Sequence, residues 1–352
     1  MPRWLYGFLI FGAGALIADL AGAPELMVFI LAALGIIPVS GLIGRATEDL
    51  AHRVGPKFGG LLNATFGNAA EMIIGIVAIN AGLLDLVKAS VTGSIIGNLL
   101  LVLGMGFLWG GLRHGTLKFD REEAGRNSVM MILALGGLVL PAAFAIADPD
   151  TGDIGNVSVA VSIVLIVLYV AYIGYSFTSQ GSKQLQNELE PPSEHPANIW
   201  STRLALAVLI GATLATVVLA ELLVGTIEHV SEDFHLNEFV VGIILIPIIG
   251  NVAEHFSAVL FAARNKPDIA QAIAAGSSTQ VALLVGPAFV LISYALGNPM
   301  NLVFTPLEIV VVGLSAFVFA FISLDGESNW LEAVELLGLY VMAALVFFFL
   351  PV

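Results

Sequence analysis

The sequence predicts an all-α polytopic membrane protein with eleven transmembrane helices, one N-terminal helix followed by two inverted five-helix repeats. Three observations predict it. Of the 352 residues 58% are hydrophobic and only 11% charged, with a mean hydropathy of +0.96, whereas a soluble domain carries about 25% charged residues. Apolar runs of the roughly 20 residues needed to cross a bilayer recur at 4–21, 25–44, 59–82, 86–112, 126–147, 156–179, 203–228, 238–264, 268–297, 303–324 and 329–350. Finally, the polar motif GNAAE at Gly67–Glu71 returns as GNVAE at Gly250–Glu254, each inside such a run.

Span 1 has no later counterpart. It begins at Trp4 without a small-residue cleavage site, so it reads as a retained helix rather than a signal peptide, and residues 1–24 form an extra N-terminal unit. Span 2 contains Pro38 and leads into the mixed-charge segment Arg45–Lys57, expected to lie on the inner interface as an amphipathic element. Span 3 carries Gly59, Gly60, Gly67, Asn68, Glu71 and Gly75; span 4 carries Gly93, Ser94, Gly97 and Asn98. The basic loop Arg113–Arg126 reads as a topology determinant, and spans 5 and 6 are plain apolar helices. Residues 181–200, with NELEPPSEHP, form an acidic cytoplasmic linker between a first repeat (25–180, spans 2–6) and a second (201–352, spans 7–11). Asp85 and Asp268 open spans 4 and 9 as helix caps, and Pro247, Pro287 and Pro306 are expected at kinks.

The duplication rests on matches at one constant offset. Gly67, Asn68, Ala70, Glu71, Asp85, Gly93 and Ser94 meet Gly250, Asn251, Ala253, Glu254, Asp268, Gly276 and Ser277 without a gap. Five helices per copy is odd, so the second copy enters the membrane from the opposite side. Inverted repeats of this kind place a substrate site near the midplane, at the interface between them.

Orientation follows from the basic residues, which stay with cytoplasmic loops. Of the 13 Lys and Arg, only Lys88 falls on the far side of an eleven-span chain. The N-terminus is therefore placed in the cytoplasm and the C-terminus opposite, in an integral protein of the cell (inner) membrane. A formal charge of -14 attracts cations and argues against nucleic acid. With no cysteine there are no disulfides and no thiolate metal sites.

An acidic residue at the centre of a membrane helix costs roughly 2.5–3.5 kcal/mol, which marks Glu71 and Glu254 as functional. Asn68 and Asn251, three residues earlier, share their helix faces. Gly67 and Gly250 permit close approach or local unwinding that frees backbone carbonyls. Amide, carbonyl and carboxylate oxygens together form a cage suited to a hard cation such as Ca2+. Ser94, Asn98, Ser277 and Gln280 on the neighbouring spans supply the surrounding shell. His255, Glu221 and Glu308 are candidates for tuning the site or lining its pathway. Two facing carboxylates at low dielectric cannot both stay ionised without a counter-charge. One Ca2+ and two protons are therefore interchangeable loads, with Glu71 and Glu254 as the metal ligands, and a site open to one side at a time becomes a cation/proton antiporter. The bilayer is the one further partner the sequence demands; a homo-oligomer is left open, and no cofactor is called for.

GNAAE and GNVAEH, followed by GSIIGN and GSSTQ, resemble the α-repeats of the cation/Ca2+ exchanger superfamily, and look most like its Ca2+/H+ antiporter (CAX) branch. The resemblance implies Ca2+ export or sequestration driven by proton flow, with Glu71 and Glu254 alternating between cation and protons. It also implies that spans 2 and 7 shift as long gating helices across a core of spans 3, 4, 8 and 9. Related Na+/Ca2+ exchangers carry an extra carboxylate where this chain has GSSTQ, which favours protons over Na+. The alternatives are a Na+/Ca2+ or other divalent-cation exchanger of the same superfamily, and a passive channel. An intramembrane hydrolase lacks support, since the chain has neither HExxH nor GxSxG at a suitable turn.

Overall fold

The computed structural model describes residues 7–54, 62, 65–148, 152–176, 200–234 and 237–350. Arg3, Trp4, Lys57, Gly59, Gly60, Asp150 and the linker except Trp200 lie outside the described residues. The described chain is almost wholly helical: α1 (Leu9–Leu20), α2 (Glu25–Val54), α3 (Ala69–Asn80), α4 (Leu84–His114), α5 (Arg121–Ala147), α6 (Ile154–Ser176), α7 (Thr202–Gly225, continued by Ile227–Phe234), α8 (Glu238–Val252 and Glu254–Ala263), α9 (Pro267–Leu296), α10 (Pro306–Ile322) and α11 (Trp330–Phe348). Among the described residues, seven of these (α2, α4, α5, α6, α7, α9 and α11) are long and apolar enough to cross a membrane. The two parts of α8 pass the same test together but meet at 69°, and α1, α3 and α10 are shorter apolar helices.

Helix starts follow local chemistry. The Asp120 carboxylate accepts from the backbone N–H groups of Glu122 and Glu123 to open α5, Ser201 caps α7, and Asn329 caps α11. Thr305 and Glu308 form a reciprocal capping box at α10. Pro306 is the first residue of that helix, where its missing N–H costs nothing, so it starts α10 instead of kinking it. Pro247 and Pro287 do disturb their helices. Each follows a short stretch of wide π-type turns, Val241–Leu245 and Val281–Val285, because proline withholds the donor that would close a normal turn. A third wide stretch, Gly97–Val102, occupies the matching place in α4 without a proline.

Three expectations are corrected here. Asp85 and Asp268 cap no helix. Asp85 lies 3.9 Å from Lys88, and Asp268 accepts the Asp120 N–H at 2.6 Å, tying the start of α9 to the start of α5. The segment from Arg45 is no separate surface element, since α2 continues unbroken through Val54. Its polar face is held instead by Trp200, at the entry to α7. The Arg45 guanidinium stacks 4.3 Å from the indole centroid, Arg53 Nη2 donates to the Trp200 carbonyl at 2.7 Å, and the Trp200 N–H donates to Asp49 at 3.2 Å.

Helix α2 packs along α7, with α1 against both. Other contacts come in reciprocal pairs: α2 meets α8 and α7 meets α3, α6 meets the second half of α9 and α11 the second half of α4, α5 meets the first half of α9 and α10 the first half of α4. At one end of the bundle the strands Leu117–Lys118 and Glu327–Ser328 pair antiparallel, and His114 bonds the Ala263 carbonyl at 2.9 Å. Lys118 reaches Glu327 there at 2.7 Å, which raises the lysine pKa by hydrogen bonding and charge. At the other end Lys88 donates to Asn301 at 2.9 Å, and Asn298 to the Ile79 carbonyl at 3.0 Å. Helices α4 and α9 therefore cross antiparallel through the middle of the molecule, and α3 runs opposite to α8.

Close crossings rest on glycine. A Cβ on Gly93 would stand 2.0 Å from the Ile243 carbonyl oxygen, and one on Gly75 would enter the Phe289 ring. Gly276, the counterpart of Gly93 in the second copy, faces open space. Gly93→Ala is expected to lower stability by about 1–3 kcal/mol through overpacking, while Gly276→Ala leaves it unchanged or raises it. Thermal unfolding of the two variants in one detergent checks the contrast.

Candidate cation site at the helix crossing

Both GNxAE motifs interrupt their helices. In the first copy Gly67 and Asn68 form a turn and α3 begins only at Ala69, which puts Glu71 in its first turn rather than mid-helix. Glycine and asparagine both favour such a break. In the second copy α8 changes direction between Val252 and Glu254. The two breaks fall within the same motif at different positions: the turn at Gly67 and Asn68 corresponds to Gly250 and Asn251, whereas α8 bends between Val252 and Glu254. They place both carboxylates at the point where α3, α4, α8 and α9 meet, with Gly250 so close that a Cβ there would lie 3.0 Å from Glu71 Cγ.

The predicted polar residues come together almost completely. Glu71 Oε1 accepts from Ser94 Oγ and from Asn251 Nδ2. Glu254 bonds Ser277 and is near enough to Glu71 for the two charges to repel. Asn68 Nδ2 donates to Gln280 Oε1 at 2.6 Å. Asn98 Nδ2 donates to Ser277 Oγ at 3.0 Å, and His255 Nε2 meets Asn98 Oδ1 at 3.1 Å. With Asn98 donating to Ser277, its oxygen accepts, so the histidine carries its proton on Nε2. Each carboxylate is thus held by the serine of its own copy, and each asparagine NH2 grips the opposite copy.

What these bonds leave over is the informative part. Glu71 Oε2, Glu254 Oε2, Asn68 Oδ1 and Asn251 Oδ1 are all buried and without a hydrogen-bond partner, two oxygens from each copy. Thr279 Oγ1 is buried and unpartnered as well. Buried polar atoms are nearly always paired, so a matched set of orphaned acceptors calls for a positive charge or a proton. Among the described residues no three His, Asp or Glu side chains converge. The donor set is therefore two carboxylates completed by neutral oxygens, which suits a hard cation of moderate affinity.

Other predicted residues stand apart. Gly67 lies in the turn before α3, whereas Gly250 lies inside α8, two residues before its bend. Glu308 is buried, but both its oxygens are taken, by Thr92 Oγ1 at 2.8 Å and by the Thr305 N–H at 2.8 Å, which makes it a brace between α4 and α10. Glu221 is exposed on α7. Sequence reasoning missed Thr92. Ser278, which the GSSTQ motif places beside Ser277 in the surrounding shell, turns its hydroxyl to the Ala274 carbonyl of its own helix and to the Ile95 carbonyl across the crossing at 3.4 Å.

The family model for sodium/calcium exchanger proteins matches residues 25–178 and again 204–349. The chain belongs to the sodium/calcium exchanger family. Within that family it is 40% identical to a Ca2+/H+ antiporter of Aphanothece halophytica, over 99% of this chain and 96% of that protein. It is 39% identical to the Ca2+/H+ antiporter ChaA of Bacillus subtilis, over 97% and 99% respectively. The crystal structure of the Ca2+/H+ antiporter protein YfkE superposes with a TM-score of 0.85 at 36% identity, covering 99% of this chain and all of that one. An exchanger-family chain with several apolar spans is an integral membrane protein and a transporter, not an enzyme.

Asn98 is the hub of the exchanger crossing, and Asn98→Leu removes the bond to His255 and one of the two bonds of Ser277, which keeps Glu254. An unpartnered buried polar group costs about 1–3 kcal/mol, so a lower melting temperature is expected, measured in detergent against Thr213→Val, which removes only a bond within α7.

Proposed function

We propose that the chain exchanges Ca2+ for protons by alternating access, with Glu71 and Glu254 holding either the cation or protons. The observation that carries this reading is the set of four unpartnered oxygens on Glu71, Glu254, Asn68 and Asn251. A Ca2+ ion with two carboxylates is neutral, and so are two protonated carboxyls, so either load relieves both the repulsion and the desolvation of a bare pair. Ser94 and Ser277 hold one oxygen of each carboxylate and keep the other turned to the load. Asn68 and Asn251 present carbonyl oxygens while their NH2 groups lock onto the facing copy. Gln280 and Asn98 fix those partners, and His255 orients Asn98. GSSTQ supplies no further acid, which favours protons over Na+, as does the likeness to Ca2+/H+ antiporters at 39% and 40% identity.

In this reading all eleven helices cross the bilayer. Residues 1–24 are an added helix, 25–180 and 201–352 are inverted repeats, and 181–200 is a cytoplasmic linker, with the N-terminus inside and the C-terminus opposite. The reciprocal contacts, the twofold match to the family model and the antiparallel α4 and α9 support it. The long helices α2 and α7 would move as a pair across α3, α4, α8 and α9, exposing the oxygens to one side at a time.

Glu71→Gln and Glu254→Gln are each expected to reduce Ca2+ uptake driven by a pH gradient into inverted vesicles by at least about a hundredfold, with the protein still folded and membrane-inserted. Full uptake by either variant would overturn the assignment. Because the ligands must be deprotonated to hold the metal, the apparent KM for Ca2+ should rise as pH falls on the loading side. A Na+ gradient replacing the pH gradient should drive no uptake; uptake under those conditions would point to a Na+-coupled exchanger.

A further inference from the structure

A groove of about 650 Å³ lies on the outer surface of the bundle, between the first half of α5 and the second half of α6, far along the chain from either GNxAE motif. Its walls are almost wholly apolar, with Met130 and Leu168 along its length and Tyr175 at one end. Gly125 faces open space and leaves the groove unfilled. The flanking surface, including Val129, Ile132, Val167 and Val170, is exposed and apolar. Two helices of this composition both qualify as membrane spans, so in a bilayer acyl chains and not water fill the groove.

One end of the groove is basic. Arg121 and Arg126 line it there together with Glu122, two positive charges to one negative, at the N-terminal end of α5. Arg126 Nε is buried without a hydrogen-bond partner, although the side chain as a whole is 38% exposed, and its carboxylate neighbour Glu122 stands 3.9 Å from Nη1 and is itself 90% exposed. A guanidinium donor buried beside an apolar slot lacks an acceptor, and Glu122 is too distant and too solvated to serve. A phosphate oxygen at the membrane surface fits the fork geometry of arginine.

We infer that the α5–α6 groove binds one anionic phospholipid, its phosphate on Arg121 and Arg126 and an acyl chain along Met130 and Leu168. Basic pockets between membrane helices on the cytoplasmic side recognise headgroups in this way. The site lies apart from the exchange centre, and binding is read without any measurement of transport, so its failure leaves the function proposed above untouched.

The test is native mass spectrometry of the purified full chain in neutral detergent, titrated with phosphatidylglycerol, phosphatidylcholine or inorganic phosphate. The wild-type chain should retain phosphatidylglycerol in preference to phosphatidylcholine, and Arg121→Gln with Arg126→Gln should weaken that binding by about tenfold or more. Arg113→Gln with Lys118→Gln removes as much charge outside the groove and should leave binding intact. Gly125→Leu keeps both arginines but fills the slot, and should also lose the lipid. Unchanged phosphatidylglycerol binding in the Arg121/Arg126 pair, equal loss in the Arg113/Lys118 pair, or competition by inorganic phosphate at the lipid's own concentration would each overturn the proposal. If the Arg121/Arg126 pair failed to fold, Gly125→Leu decides: retained lipid in that variant overturns the site.

Discussion

One carboxylate oxygen organises the centre of the molecule. Glu71 Oε1 accepts from Ser94 in its own half and from Asn251 in the other, which joins the two halves through a charged group and leaves Oε2 with nothing to hold. A carboxylate anchored on one side and bare on the other, inside an apolar bundle, is stable only while something positive is near it. The close glycine contacts and the antiparallel crossing bring the second carboxylate near enough to repel the first. The same anchoring explains why the serines and asparagines occur in matched positions. Each fixes the direction in which a buried carboxylate or amide oxygen is left without a partner.

The sequence made much of this legible. The motif pairs identified both carboxylates, both asparagines and both serines, because in a membrane helix an acid or amide is too costly to be incidental. Even Gln280 and Asn98, which have no equivalents in the other copy, were recognisable as polar groups on spans adjacent to the acids. Helix ends were close in the second half, where the runs 238–264, 268–297 and 329–350 match α8, α9 and α11 to within two residues, whereas the charges at Arg45 and Arg126 ended neither α2 nor α5.

Other features could not be read from the chain. The α3 start at Ala69 was hidden because the apolar run continues through it, and hydropathy does not register a broken hydrogen-bond ladder. Glu308 looked like a pathway acid. Its capping-box partner Thr305 was visible in sequence, but Thr92, which takes its other oxygen, lies 216 residues away. Asp85 and Asp268 have the chemistry of caps, yet Asp85 faces Lys88 one turn along its own helix and Asp268 found a tertiary partner in the Asp120 N–H. Pro247 and Pro287 signalled disturbance correctly, yet a lone proline does not distinguish a kink from a widened turn. The wide turn at Gly97–Val102 has no proline at all and gave no warning.

The Trp200 clasp has a mechanical meaning of its own. Indole, guanidinium and carboxylate fasten Trp200, the last residue of the linker, directly onto the tail of α2. The peptide that precedes Trp200 is therefore not what holds the two halves in register at that point. A chain severed within that peptide would still present two fragments with a ready-made joint between α2 and the entry to α7.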